Sequence, residues 1–267
     1  MKGKIIYQTT GSASEYAKYG FSAYLGCSVG CHYCYNKKGR FAKVLGGNVP
    51  TLKKCFKDES HALEVFEKEL MANLPELQKH GLFFTFTSDP CLDSTYELTF
   101  KAIWRAAMEN VRSKILTKMS GFADHIISVH KKNSILLLPD YWAFGFTLTG
   151  CDSAEPNAST NAERIEAMRK LHEAGFRVWA SIEPIIDFYS SEKMIDDAET
   201  AGCDLFKIGL LSGKKYDKEE LRRFVFFISN VCASKIYFKD GLIKQAGILR
   251  EDLPANCVGR NFKIWEL

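Results

Sequence analysis

Leu82-Phe83-Phe84-Thr85-Phe86-Thr87, followed at a short distance by Ser94-Thr95-Tyr96-Glu97, is the stretch on which the fold turns. The first run has strand length and is built of aromatic and β-branched residues behind Leu82. The second reads as a capping box that opens a helix to about Met108. Strand followed by helix then recurs in both directions. Upstream, Phe21 to Leu25 precedes a helix from His61 to Leu74. Downstream, the strands Lys114 to Thr117, Ala143 to Leu148, Val178 to Ile182 and Leu205 to Gly209 precede helices. These run from Phe122 to His130, Ala162 to Ala174, Glu192 to Ala201 and Lys218 to Val231. The helix at Ala162 carries a second capping box, Thr160 with Glu163, and stops at Gly175.

Near-continuous apolar strands alternating with amphipathic helices predict an α/β fold, with a buried parallel sheet and right-handed crossovers. Six such units fit a partial (β/α)6 TIM-like barrel, whose chemistry sits at the carboxyl ends of the strands. On this reading residues 1–20 are an N-terminal extension and 21–233 the barrel, while 234–267 form a short C-terminal segment capping one end.

The chain has 267 residues, 46% hydrophobic and 25% charged, which suits one globular domain and gives no reason to invoke disorder. Its net charge of +4 is spread in pairs such as Lys37-Lys38, Lys131-Lys132, Lys214-Lys215 and Arg222-Arg223. Such pairs read as solvated faces, not as one basic stripe. No apolar run approaches the ~20 residues that span a bilayer, and the stretch from Met1 to Tyr7 lacks the apolar core of a secretory signal. The expectation is a cytoplasmic protein without a membrane partner. In that reducing setting nine cysteines are metal or redox chemistry, not a disulfide framework.

Three of them lie in Gly26-Cys27-Ser28-Val29-Gly30-Cys31-His32-Tyr33-Cys34-Tyr35-Asn36, just after the first strand. Three thiolates on one short loop are one too few for a four-cysteine [4Fe-4S] cluster, and the shortfall leaves one iron open to another ligand. Gly26 and Gly30 supply the backbone freedom that so tight a wrap needs. Two other readings stand beside it: a Cys3His zinc site using His32, which would make the chain a zinc-stabilised nucleic-acid-binding module, or three ordinary thiols.

With Tyr33 before the third cysteine, the CxxxCxxC loop resembles the signature of the radical S-adenosylmethionine (SAM) superfamily. That resemblance implies a [4Fe-4S] cluster on Cys27, Cys31 and Cys34, with SAM chelating the open iron. It also implies reductive cleavage of SAM to a 5′-deoxyadenosyl radical, and a reductant such as flavodoxin or ferredoxin. Within the superfamily the chain is most similar to spore photoproduct lyase and its DNA-repair-photolyase-like relatives. The likeness runs through Thr87-Ser88-Asp89, Leu116-Thr117-Lys118, Glu155-Pro156, Arg164 and Pro184-Ile185 in order. It places Tyr33, Ser88, Lys118 and Thr147 at the cofactor, and a nucleic acid becomes the expected substrate. Radical modification of a small molecule or peptide is the alternative.

Read from the residues alone, Ser88, Lys118 and Thr147 lie at strand ends, where Lys118 can pair with a carboxylate and the hydroxyls can hydrogen-bond polar groups. Ordinary turn chemistry explains them equally well. Glu183 is a further candidate, or else a helix cap. Tyr16, Tyr19, Tyr24 and Tyr35 either lie near the mouth, where rings can stack on bases, or belong to the core. One departure is plain: Phe86 stands where the lyases carry a hydrogen-donating cysteine. Cys91 and Cys151 are the substitutes within reach in sequence, each otherwise a small buried hydrophobe.

Overall fold

A computed structural model describes residues 3–39, 42–132 and 138–267. Strands β1 (Ile6–Gln8), β2 (Tyr19–Phe21), β3 (Tyr24–Leu25), β4 (Thr51–Leu52), β5 (Leu82–Phe84), β6 (Ser113–Thr117), β7 (Trp142–Thr147), β8 (Arg177–Ile185), β9 (Leu205–Leu210) and β10 (Lys235–Phe238) alternate with helices. The helices are α1 (Ala42–Leu45), α2 (Glu59–Ala72), α3 (Leu74–His80), α4 (Asp93–Met108), α5 (Ala123–Lys132), α6 (Asn161–Glu173), α7 (Phe188–Thr200), α8 (Lys218–Val231) and α9 (Asp240–Ala246).

One sheet has the order β1-β2-β5-β6-β7-β8-β9-β10. Every neighbouring pair is parallel except β1 with β2. This is an α/β fold with a mostly parallel central sheet, consistent with a TIM-like arrangement. All six expected strands are present, and the structure amends the expectation in three places. The first strand ends at Phe21, because Tyr24 and Leu25 leave the main sheet to pair with Leu52 and Thr51. The segment after Lys235 adds a further parallel strand, with Tyr237 beside Lys207, instead of lying outside the sheet. The N-terminal residues contribute the edge strand β1, whose neighbouring amides at Lys4, Ile5 and Ile6 all donate to the Glu69 carboxylate at 2.6–3.1 Å.

Helix starts follow local chemistry. Thr160 and Glu163 form the expected capping box on α6. Before α4 no side chain caps, because Thr95 Oγ1 donates to the Asp89 and Leu92 carbonyls and the helix begins earlier, at Asp93. Asp187 caps α7, which therefore starts at Phe188 instead of Glu192.

Alternate residues of each strand go to opposite sides. Phe84, Ile115, Phe144, Val178, Phe206 and Ile236 join the large core beneath the helices. Phe83, Ala143, Trp179 and Leu205 form a second cluster on the other side, where Ile264 of the tail packs with Phe262 and Trp265 beside it. Gly145 is required there: a Cβ on it would lie 2.1 Å from the Trp179 ring. The tail meets the starts of the strands, since Arg177 donates to the Leu267 carbonyl and Arg112 lies over the Trp265 ring. The C-terminal tail thus covers the sheet at the end opposite the cysteines.

Candidate functional site

At the carboxyl ends of the strands lies a cavity of about 480 Å³. Its wall includes Cys27, Cys31 and Cys34 together with Tyr33, Ser88, Lys118, Thr147 and Glu183, so the eight residues read as cluster or cofactor contacts converge on one space, with Tyr16, Tyr35 and Phe86 beside them. The two substitute hydrogen donors do not. Cys91 is packed in the large core at 7% exposure, where burial pushes its thiol well above the usual range. Cys151 sits outside the cavity wall, with its sulfur 3.5 Å from the Ser153 hydroxyl.

The cysteine loop is clamped by backbone bonds. Cys27 N donates to the Gly47 carbonyl at 2.9 Å and His32 N to that of Ala154 at 3.0 Å. Asn157 holds the other side through its amide N to Val29 O at 3.1 Å and Nδ2 to Ser28 O at 2.9 Å. Gly26 has φ +84°, and a Cβ there would strike the Val49 carbonyl at 2.6 Å, so the turn into the loop needs glycine. Burial raises the Cys27 thiol to about 11 and also raises Cys31, against the opposing charge of Lys118. Any metal taken up by these thiols would have to displace their protons.

Asp89 fixes the next wall. Its Oδ1 accepts from Thr117 Oγ1 at 2.6 Å and its Oδ2 from Lys118 N at 2.8 Å. The Lys118 ammonium consequently rests 3.3 Å from Thr147 Oγ1 and 5.7 Å from the centre of the Tyr33 ring, with no carboxylate on it among the described residues. Ser88 Oγ and Asn36 Oδ1 line the same cavity, are buried, and have no hydrogen-bond partner among the described residues. Buried polar atoms are normally paired, so two orphans beside an unneutralised lysine mark a place built for a polar ligand.

On the far wall Glu183 and Tyr16 meet Lys239, which sequence reasoning passed over, with Glu15 and Lys207 behind them. Glu183 does not cap a helix; it receives Lys239 Nζ at 2.8 and 2.9 Å and the Tyr16 hydroxyl at 2.5 Å. Burial first, and Glu183 second, push the Tyr16 phenol well up. Lys207, almost fully buried, donates to the Glu15 carbonyl at 2.6 Å between the rings of Tyr16 and Tyr237, and burial pushes its ammonium well down. The signal was a charged residue inside an apolar strand, Leu205-Phe206-Lys207-Ile208. Phe86 also lines the cavity, stacked on Phe83 at 4.2 Å and edge-on to Tyr16. Of the four tyrosines considered for the mouth, Tyr16 and Tyr35 line the cavity, the first buried and the second exposed, while Tyr19 in β2 and Tyr24 in β3 are buried and do not line it.

Among the described residues no three His, Cys, Asp or Glu side chains are close enough to hold a single metal ion. Tetrahedral zinc, at about 2.3 Å from each sulfur, draws its ligands within about 4 Å of one another. The corners of a four-iron cube do not require that closeness, and a donor set of three thiols, with the unpartnered Ser88 Oγ and Asn36 Oδ1 lining the same cavity, suits such a cube and a chelating ligand.

No family model matches the chain, and no curated protein matches it in sequence. Among solved structures it is similar to SuiB of Streptococcus suis bound to precursor peptide SuiA, with a TM-score of 0.60 and 12% identity over 85% of this chain and 50% of that one. The likeness is one of fold. This chain spans half the length of SuiB. A muconate lactonizing enzyme from Klebsiella pneumoniae gives a TM-score of only 0.32 at 12% identity, over 68% of this chain and 56% of that one, and carries no argument. No helix among the described residues is long and apolar enough to cross a membrane.

Proposed function

We propose that this chain is a radical SAM enzyme in which Cys27, Cys31 and Cys34 hold a [4Fe-4S] cluster and the cavity takes SAM and a substrate. The supporting observation is the convergence of three loop thiols with Ser88, Lys118 and Thr147 on one cavity at the strand ends. On this reading the sheet is a partial barrel with the cavity as its mouth. When bound, cluster and SAM supply a 5′-deoxyadenosyl radical on one-electron reduction.

The chain's own residues bind, orient and shield. The Lys118 ammonium neutralises the SAM carboxylate while Asp89 holds the Lys118 backbone in place. Ser88 Oγ and Asn36 Oδ1 gain the partners they lack. Phe83, Phe86 and Trp179 make an apolar wall behind Tyr16 that keeps water from the reacting carbon.

For the substrate, the fold shared with a protein solved on a precursor peptide favours a peptide over a nucleic acid. Tyr19 and Tyr24 are buried outside the cavity wall, which leaves only Tyr16 and Tyr35 of the four rings proposed for stacking on bases. Photoproduct chemistry loses further support from Phe86, which has no thiol hydrogen to give, and from Cys91 and Cys151, neither of which presents its thiol to the cavity as a donor must. The reading implies a one-electron donor such as flavodoxin or ferredoxin and a reducing cytoplasmic setting. Anaerobic reconstitution with iron and sulfide tests it: a brown protein with about four irons that cleaves SAM to 5′-deoxyadenosine on reduction is expected. A colourless protein binding one zinc would overturn it.

A further inference from the structure

Glu155 and Arg164 form an ion pair with neither side chain exposed, Oε2 to Nη2 at 2.5 Å. A pair this deep is weak evidence for stability, because desolvation of both charges offsets most of their attraction and a well-packed apolar pair serves as well. Its value must be sought in what it holds. Glu155 Oε1 accepts the Tyr33 hydroxyl from the cysteine loop, and Arg164 Nη1 donates to the carbonyl of Thr147. Arg164 Nε adds a bond to Ser159 O at 2.9 Å, and Ser159 N donates to the carbonyl of Lys118 at 3.0 Å. One buried pair therefore touches both sides of the cavity: the loop with the thiols, and the two strand ends bearing Lys118 and Thr147.

We infer that Glu155 and Arg164 are positioning residues that act through Tyr33 to set the distance between the cysteine loop and the Lys118–Thr147 wall. They thereby set how the chelating cosubstrate lies against the cluster. This rests on the proposed reading of the site. The rigidity is in the connectivity: the loop is otherwise held by backbone bonds to Gly47, Ala154 and Asn157 and by Tyr35 and Asn36 donating to the Phe86 carbonyl, whereas Tyr33 reaches a carboxylate whose other oxygen is fixed by a planar guanidinium. The Lys118 ammonium rests over that same ring, 5.7 Å from its centre, so a shift of Tyr33 moves the charge with it.

Tyr33→Phe removes one oxygen and nothing else, and Glu155→Gln keeps the shape while removing the charge. Both, with the wild type, are reconstituted anaerobically, then compared for iron content, thermal melting, SAM dissociation constant and the electron paramagnetic resonance spectrum of the reduced cluster with and without SAM. Tyr33→Phe is expected to keep its four irons, yet to bind SAM about tenfold or more weakly, with a changed SAM-bound spectrum. Full iron content with wild-type affinity and spectrum in Tyr33→Phe would overturn the inference, however much the melting temperature falls. So would loss of iron from that variant, since the pair would then hold the cluster and not orient its ligand. If Glu155→Gln fails to fold, Tyr33→Phe alone decides between these outcomes. Wild-type protein that takes no iron is a different failure, that of the site reading itself.

Discussion

Lys239, at the end of β10, holds both carboxylate oxygens of Glu183, near the end of β8, at 2.8 and 2.9 Å. The contact crosses β9 directly over Gly209, where a Cβ would come within 2.7 Å of the Glu183 carboxyl carbon. Lys239 also reaches Glu15 Oε2 at 3.4 Å, so one ammonium joins the N-terminal arm to the last strand. Lys239→Met leaves two carboxylates without their cation. With Lys239 at 8% and Glu183 at 25% exposure, the loss is expected at about 2–3 kcal/mol, somewhat under the figure for a fully buried pair. Urea unfolding measures it, and Glu183→Gln added to the same chain should recover part. A single variant as stable as wild type would show that the network is neutral to folding.

Replacing Cys27, Cys31 or Cys34 by Ala is expected to abolish cluster assembly, because a cube already short of one protein ligand loses another. Iron and sulfide analysis after anaerobic reconstitution gives the answer. Three variants that each retain the wild-type iron content would remove the loop from the site.

Lys118→Ala should leave the iron in place and weaken SAM binding by roughly ten- to a hundredfold, corresponding to the loss of one charge-assisted hydrogen bond of about 1.5–3 kcal/mol. Equilibrium dialysis on the iron-loaded variant reads this directly. An unchanged dissociation constant means that Lys118 faces the cavity for another purpose.

Burial lowers Lys114 from 10.5 to about 8. Its ammonium donates to the Tyr16 carbonyl. The folded chain thus holds this proton less tightly than the unfolded chain, which binds more protons between about pH 8 and 10.5, so this residue makes stability rise with pH across that window. Lys207, pushed down by burial as well, acts in the same direction. Lys114→Met should therefore flatten the rise, with its advantage over wild type greatest below pH 8 and fading above it. Parallel pH profiles in the two proteins would show that Lys114 keeps its ordinary proton affinity.

Much of the site was legible because ligand chemistry restricts residue types and short loops restrict spacing. Three cysteines within eight positions, with glycines where φ must be positive, specify a loop that reaches one wall of a cavity whatever surrounds it. Periodicity put Ser88, Lys118 and Thr147 at strand ends, since a parallel strand ends where its apolar run ends, while their choice as cofactor contacts came from the family resemblance. Glu15, Lys207, Lys239 and the role of Tyr16 beside Glu183 were not legible. These residues lie more than 150 positions from some of their partners, and no local pattern pairs Tyr16 with Ser181 or Glu15 with Tyr237.

By itself the sequence determined the alternation of strands and helices, the parallel sheet and the cysteine loop, because each depends on residues within one or two turns of chain. Only the tertiary structure decided which strand ends share a cavity and that Lys235–Phe238 extends the sheet. It also decided that Cys91 is core and that Glu183 answers to Lys239 instead of to a helix. Those outcomes depend on which side of the sheet a side chain takes and on which distant charge it meets there. Both are settled by packing and by the cost of leaving a buried charge unpaired, and neither is written in neighbouring residues.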